Sequence, residues 1–516
     1  MYIFRYFIII SILLIIHPCS VKCQYGFKKL ITYDDSGSLD FDDIQIRNNK
    51  IYTSGNSYTN SLDQVGKNVS VFDTSGLLIW QKTYFDTGSN SFIIENSPSR
   101  FCFADNGDIL VPVYFFYRND LGLIRIDSNG NELFISEFPN TEYTIYPKDV
   151  IYDNGNVYLF GTVQRLNSRH DIYVIKTDSV GQLIWRKYYG ISNYHEDFGD
   201  IIKNHDGTFT ISSDRYEEDF NIQPFGSKGW TKPWLFTIDT SGTIINQWLG
   251  EENDSRTFGG GPFYHMTNGD WIIISREFKG VSINGSEFTA SAPTITRLDA
   301  AHNLEWKLYM ADYTGFWDIL VDLDYDSIRN EFVAAGHRVV QYNAQYEELE
   351  AWVVKFSPDG NVIWSKSDTI YSDPVNGVTH FTAGVDISPS GSIYAAGIVQ
   401  HNKNPNRGYG WLLKMTPDGC YQSDCSTTAV QSPIDNEEFQ IYPNPSTGQI
   451  TISLNDLNPP LKINFRDATG RKVSSFELQN QTTELNLGND FYPGVYFYDL
   501  EKDNHILNYG KLLIVR

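Results

Sequence analysis

One segment recurs along the chain and limits what it can fold into. Val69-Ser-Val-Phe-Asp73-Thr-Ser-Gly76-Leu-Leu-Ile-Trp80-Gln-Lys82 returns as Ile172-Tyr-Val-Ile-Lys-Thr-Asp178-Ser-Val-Gly181-Gln-Leu-Ile-Trp185-Arg-Lys187. It returns again around Asp127/Gly130/Phe134, Asp239/Gly242, Asp299/His302/Trp306, Ser357/Gly360/Trp364 and Thr416/Gly419. The turn positions 76, 130, 181, 242, 302, 360 and 419 are 51 to 61 residues apart, a seven-fold repeat. A unit of this size cannot bury its own apolar face, so each must pack on its neighbours.

Every unit also has an upstream half, such as Asp149-Val-Ile-Tyr-Asp-Asn-Gly155-Asn-Val-Tyr-Leu-Phe-Gly161 or Asp386-Ile-Ser-Pro-Ser-Gly391-Ser-Ile-Tyr-Ala-Ala-Gly397. Short apolar runs divided by Asn-Gly, Asp-Gly or Asp-x-x-Gly are hairpin punctuation. Composition agrees: 33 Tyr, 32 Phe and 40 Gly against 4 Met favour strands and tight turns. Four antiparallel strands per unit, seven times, predict an all-β, seven-bladed β-propeller over 24–425. The seventh unit lacks its last strand, and Phe27-Lys-Lys-Leu-Ile-Thr-Tyr33 looks like that strand displaced to the start. The first and last segments are therefore expected to pair and close the ring.

The repeat resembles that of exported bacterial propellers, loosely Lys-x-Asp-x-x-Gly-x-x-x-Trp-x-Lys-x-Tyr-Gly. It differs from quinoprotein propellers, whose Gly comes one residue later, and from sialidase Asp-boxes. In Ser357-Pro-Asp359-Gly360-Asn-Val-Ile-Trp364 the Gly comes one residue too early for such a box. Neither active site transfers.

Residues 1–23 read as a secretory signal peptide: Arg5 is followed by an apolar run from Phe7 to Ile16, too short to span a bilayer. Cleavage is expected between Cys23 and Gln24, with no transmembrane segment in the mature chain. Cys420 and Cys425 are expected to form a local disulfide in an oxidising compartment, with Cys102 a buried free thiol. Residues 426–438, rich in Ser, Thr, Gln and Pro, read as a linker.

From 439 to 516 the chain carries Tyr442-Pro443-Asn444-Pro445-Ser446-Thr-Gly448, then Asp467-Ala-Thr-Gly470, Pro493-Gly494-Val495-Tyr496 and a terminal Gly510-Lys511-Leu-Leu-Ile-Val-Arg516. This resembles the type A sorting domain of the type IX (Por) secretion system of Bacteroidota. Alternation at Ile450/Ile452/Leu454, Ile463/Phe465 and Tyr496/Tyr498/Leu500 independently reads as a small β-sandwich. The resemblance implies handling by the type IX machinery and removal of the tail by a sortase-like peptidase. The product would be released or attached to surface lipopolysaccharide.

The net charge of −23 argues against a nucleic-acid partner. Long connections at about 213–233, 276–293, 337–351 and 398–410 share one face of the expected ring. They carry Tyr216, Trp230, Tyr342, Tyr346, Arg407 and Tyr409, which suit stacking on sugars or gripping a peptide; the bland reading is loop packing. Trp234, Trp352 and Trp411 share one repeat position and read as packing. Asp322-Leu-Asp324-Tyr-Asp326 is expected to be a solvated acidic turn, with calcium as its alternative; no other metal or cofactor is expected. The sequence contains no catalytic motif. The expected function is that of a secreted or surface-attached propeller binding a polysaccharide or protein, not an enzyme. The alternative is a polysaccharide lyase or glycoside hydrolase with its site at the propeller centre.

Overall fold

The structure, a computed structural model, describes residues 26–421 and 439–515 apart from short segments within them, the longest being 217–230 and 86–98. The strands between Phe27 and Met415 form seven antiparallel sheets of four or five strands, among the described residues. The third is typical: Thr144–Asp153, Asn156–Gln164, His170–Asp178 and Leu183–Tyr189, in chain order across the sheet.

These sheets pack in a cycle, which makes the fold a β-propeller. Val69 and Val71 of the first meet Ile109 and Val111 of the second. Leu110 and Leu123 meet Val157 and Leu159 of the third, and Tyr158 and Phe160 meet Phe209 and Ile211 of the fourth. Leu235 meets Phe263 and Trp271 of the fifth, whose Ile272 and Ile274 meet Phe332 and Val354 of the sixth. Val333 and Ala335 meet Val385 and Ile393 of the seventh, whose Tyr394 and Leu412 return to Ile51 and Phe72 of the first.

The outer edge of the seventh sheet is the strand Phe27–Ile31, antiparallel to Asn404–Met415 with Phe27 opposite Lys414 and Ile31 opposite Gly410. Since this strand is outermost, Val378–Ile387 is innermost, and each of the other six units likewise runs from inside to outside.

The repeat motif has two physical jobs. Its Asp accepts backbone N–H groups two and four residues on, as Asp73 Oδ1 does from Ser75 and Leu77 and Asp239 Oδ1 from Ser241 and Thr243. The hydroxyls of Ser75 and Ser241, together with these backbone bonds, hold both carboxyls below their ordinary range. Its Gly, at φ near 80°, lies against an aromatic of the preceding sheet. Gly130 faces Trp80, Gly242 faces Trp185, Gly360 faces Trp306 and Gly419 faces Trp364. At one junction both partners change. His302 occupies the turn at φ 66°, and its ring stacks on Trp248 at 4.9 Å, an aromatic contact replacing a close approach. Trp234, Trp352 and Trp411 are buried.

The tail is a separate sandwich. Phe439–Tyr442, Gln449–Leu454 and Thr482–Asn486 form one sheet; Lys472–Leu478, Leu461–Arg466, Gly494–Lys502 and His505–Ile514 form the other. Ile450, Ile452 and Leu454 pack against Ile463, Phe465, Tyr496 and Leu500 between them. Buried Ser446 ties the entrance of the domain to its end. Its N–H donates to Leu513 O, Val515 N–H donates to Ser446 O, and its hydroxyl donates to Gln449 O.

Deleting residues 27–31 should expose the edge of Asn404–Met415 and open the ring. The expected outcome, read by circular dichroism and light scattering, is a lower melting temperature with aggregation. An unchanged melt would mean that the strand is dispensable.

Candidate binding site at the axis of the ring

The innermost strands carry a recurring carboxylate that staples one sheet to the next. Asp43 Oδ1 accepts from Ile44 N–H at 2.8 Å, and its Oδ2 accepts from Phe101 N–H of the second sheet at 3.1 Å. Asp200 accepts from Ile201 and from Phe263 of the fifth sheet, at 2.8 and 3.3 Å. Asp322 Oδ2 accepts from Val385 of the seventh at 2.8 Å, and Asp149 accepts from Val150 at 2.6 Å. The register assigns one residue per sheet to this level: Asp43, Arg100, Asp149, Asp200, Pro262, Asp322 and Gly384.

Arg100 is the cation of that level. Its guanidinium binds Asp200, lies 2.5 Å from Asp322 and 3.7 Å from Asp149, and so bridges the second, third, fourth and sixth sheets across the axis. Burial alone would weaken its charge, but Asp200, Asp322, Asp149 and Asp43 hold it ionised. One cation does not neutralise four carboxylates. Burial pushes Asp43 up to about 7 and Asp149 well above the usual carboxylate range, with Arg100 opposing both shifts.

A second level follows two residues on. Asp324 accepts from Tyr325 and from Ile387 of the seventh sheet, and Asp386 accepts from Ile46 of the first. Burial raises both, and Asp386, bonded to Asp324, lies well above the usual range. These bonds correct the expectation of a solvated acidic turn at Asp322, Asp324 and Asp326. The three lie on the inner strand Ile319–Asp326, with Asp322 and Asp326 buried and Asp326 bonded to Arg329 at 2.8 Å. Each has its own partner, and among the described residues no group of three His, Cys, Asp or Glu could hold a metal ion.

One step before the Arg100 level the inner strands bulge. The unpaired residues are Lys148, Gly199, Val321 and Ala383, and all are half-exposed although the residues that follow them are buried. Asp42 and Gly261 occupy the same step in the first and fifth sheets and are also half-exposed. The axis therefore opens into a lumen with small residues over most of its circumference. Lys148 and Asp42 are its charged members. Burial lowers the Lys148 ammonium, and Asp197 and Asp42 oppose that shift.

Among the residues singled out from sequence, Tyr409 is half-buried with its ring against Tyr371 and His401. Tyr216, Tyr342 and Arg407 lie on the strands Phe209–Tyr216, Glu331–Tyr342 and Asn404–Met415. Trp230, Tyr346, Cys23, Gln24, Cys425, Asn444 and Pro445 lie outside the described residues. Cys420 is disulfide-bonded. Cys102 is free; it is half-exposed as a residue, though burial pushes its thiol up. In the tail, Tyr442 and Pro443 are exposed, Gly448 and Gly494 have positive φ, and Lys511 lies opposite Phe497. The Tyr496 hydroxyl donates to Tyr492 O at 3.1 Å. Apart from Asp322 and Asp324, the axial residues were missed. Their one sequence signal is an Asp-apolar doublet at the head of several units: Asp43-Ile44, Asp149-Val150, Asp200-Ile201 and Asp386-Ile387.

Residues 440–516 match the family of secretion system C-terminal sorting domains. No curated protein sequence matches the chain. Similar solved structures include PorZ, an essential bacterial surface component of the type IX secretion system of Porphyromonas gingivalis, at 13% identity and TM-score 0.35. The alignment covers 94% of this chain but 61% of that one, so the chain spans about three fifths of the PorZ length. A neuraminidase-like protein from A/bat/Guatemala/164/2009 is similar at 9% identity and TM-score 0.37, over 77% of this chain and 95% of that one. The α-L-arabinofuranosidase Arb93A from Fusarium graminearum is similar at 11% identity and TM-score 0.39, over 64% and 97%.

Two outcomes follow from the axis. Replacing Arg100 with Met leaves buried carboxylates without their cation and should cost about 3–5 kcal/mol, measured by urea unfolding. Separately, burial raises Asp40 to about 8 and Asp43 and Glu196 to about 7. The folded chain thus keeps protons that the unfolded chain releases. Their contribution is complete at low pH and is lost as pH rises through 7 to 8. The melting temperature should be higher at pH 5 than at pH 8, and Asp40→Asn should flatten that dependence.

Proposed function

We propose that this chain is an exported seven-bladed propeller that acts by binding, as an adhesin or polymer-capture module, without catalysis of its own. The observation that carries the export half is the sorting-domain match over residues 440–516. Such a domain directs a protein through the type IX machinery to the cell surface or the medium. In this reading a sortase-like peptidase removes the tail in the linker 426–438.

The binding half is supported by the lumen. Its charged and polar groups sit on rigid inner strands, while the most buried carboxyls are occupied in joining sheets. Groups that staple backbone are poorly placed to act on a substrate. A small-lined opening with a few convergent polar groups suits a ligand.

Cell fractionation of a strain lacking residues 439–516 should find the protein in the periplasm, with the intact chain at the surface or in the medium. Retention of the exported chain on immobilised polysaccharides, without release of soluble sugar, is the expected binding result. Sugar release would replace this reading with that of a polysaccharide-degrading enzyme.

A further inference from the structure

The lumen is not uniform. Beside Lys148, where the third and fourth sheets meet, four more side chains converge from three strands. Tyr146 lies on the inner strand of the third sheet, His170 begins its third strand, and His195 and Asp197 lie on the inner strand of the fourth. His170 Nδ1 and Asp197 Oδ1 are 2.7 Å apart. The His170 ring stands edge-on to both neighbours, 5.3 Å from His195 and 6.3 Å from Tyr146 between centroids. His195 is buried, but the side chains of His170 and Asp197 retain 25% and 32% of their exposure. The pair is thus backed by a buried ring and remains partly exposed.

We propose that this junction is a subsite for one residue of a neutral polysaccharide; it rests on the binding reading above and gives that reading a place and a ligand class. Three observations converge on it. The exposed groups mix acceptor and donor within one small patch: a carboxylate, an imidazole whose Nδ1 is already committed and whose Nε2 remains, and an ammonium. A carboxylate accepts several hydrogen bonds and can take two vicinal hydroxyls, which a sugar offers at fixed spacing. Tyr146 adds an aromatic ring of the kind that covers a pyranose face.

The third observation is charge. The patch carries both signs, with Lys148 facing Asp197 and with Asp42 paired to Lys67 at 2.7 Å, while the whole chain carries −23. A polyuronate or sulfated polymer would meet that field along its entire length, whereas a neutral glycan would not. The small residues of the fifth, sixth and seventh sheets, Gly261, Val321 and Ala383, leave the opposite side of a sugar ring room.

The test uses the full exported chain and affinity electrophoresis in gels containing laminarin, xylan or galactomannan as neutral probes, and alginate or polygalacturonate as anionic ones. Retardation is expected in at least one neutral gel, with Asp197→Asn and Tyr146→Ala each weakening it about tenfold, equivalent to about 1.4 kcal/mol. Melting curves establish that both variants fold, and Asp197→Asn preserves side-chain volume should Tyr146→Ala prove unstable. Neutral-gel retardation unaltered in folded variants would overturn the subsite and leave the binding reading standing. Retardation by the anionic polymers alone would overturn the neutral class. Retardation in no gel would sink the subsite together with the polysaccharide form of the reading.

Discussion

The ring is held by carboxylates that bond backbone across the gap between neighbouring sheets. Apolar packing brings the sheets together but is non-directional and does not fix their spacing at the axis. The Asp43, Asp200 and Asp322 bridges do, because each oxygen meets an N–H of defined position on the next sheet. A bond of this charged kind contributes about 1.5–3 kcal/mol, while an unpaired buried carboxylate costs more than it returns. Arg100 reconciles the two by serving several staples at once, while burial pushes Asp149 and Asp386 toward their neutral forms. The lumen above is a by-product of the same geometry. The inner strands bulge just before Asp149, Asp200 and Asp322, and the bulged residue is left half-exposed at the axis.

Much of this was legible in the sequence, and the reason is local. The Asp-x-x-Gly turn is a short-range device whose carboxylate bonds residues two and four ahead, so it recurs with fixed internal spacing. The closing strand could be found because the seventh unit lacked a strand that the N-terminus supplied. The axis could not be found this way. The guanidinium of Arg100 meets Asp200 and Asp322, 100 and 222 residues further along the chain, and its role exists only once four sheets converge. Likewise, His170 and Asp197 look like scattered polar residues until two strands bring them within 2.7 Å. The acidic run at Asp322 misled for a related reason. Its composition suits a solvated turn, yet on an inner strand Asp322 meets Arg100 and Val385, Asp324 meets Ile387, and only Asp326 bonds the turn that follows.

The tail obeys a different rule. Its core is made by two sheets facing each other, with no repeat to consult, and the alternating residues still placed most of it correctly. Ser446 adds what alternation could not: a backbone clasp between the start of the domain and residues 513–515. Residues 513–515 are thereby built into the sandwich.

The placement of strand Phe27–Ile31 has a consequence in time. Its partner, Asn404–Met415, is nearly the last part of the ring to be synthesised, so Phe27 must wait for Lys414 before it can pair. During that interval the first strand has unsatisfied backbone groups, and the loop to be closed is almost the whole ring. Closing it is a single late event of high contact order, slow beside the hairpins that form within each unit. The first strand must therefore be kept from pairing with the wrong edge until the seventh sheet arrives.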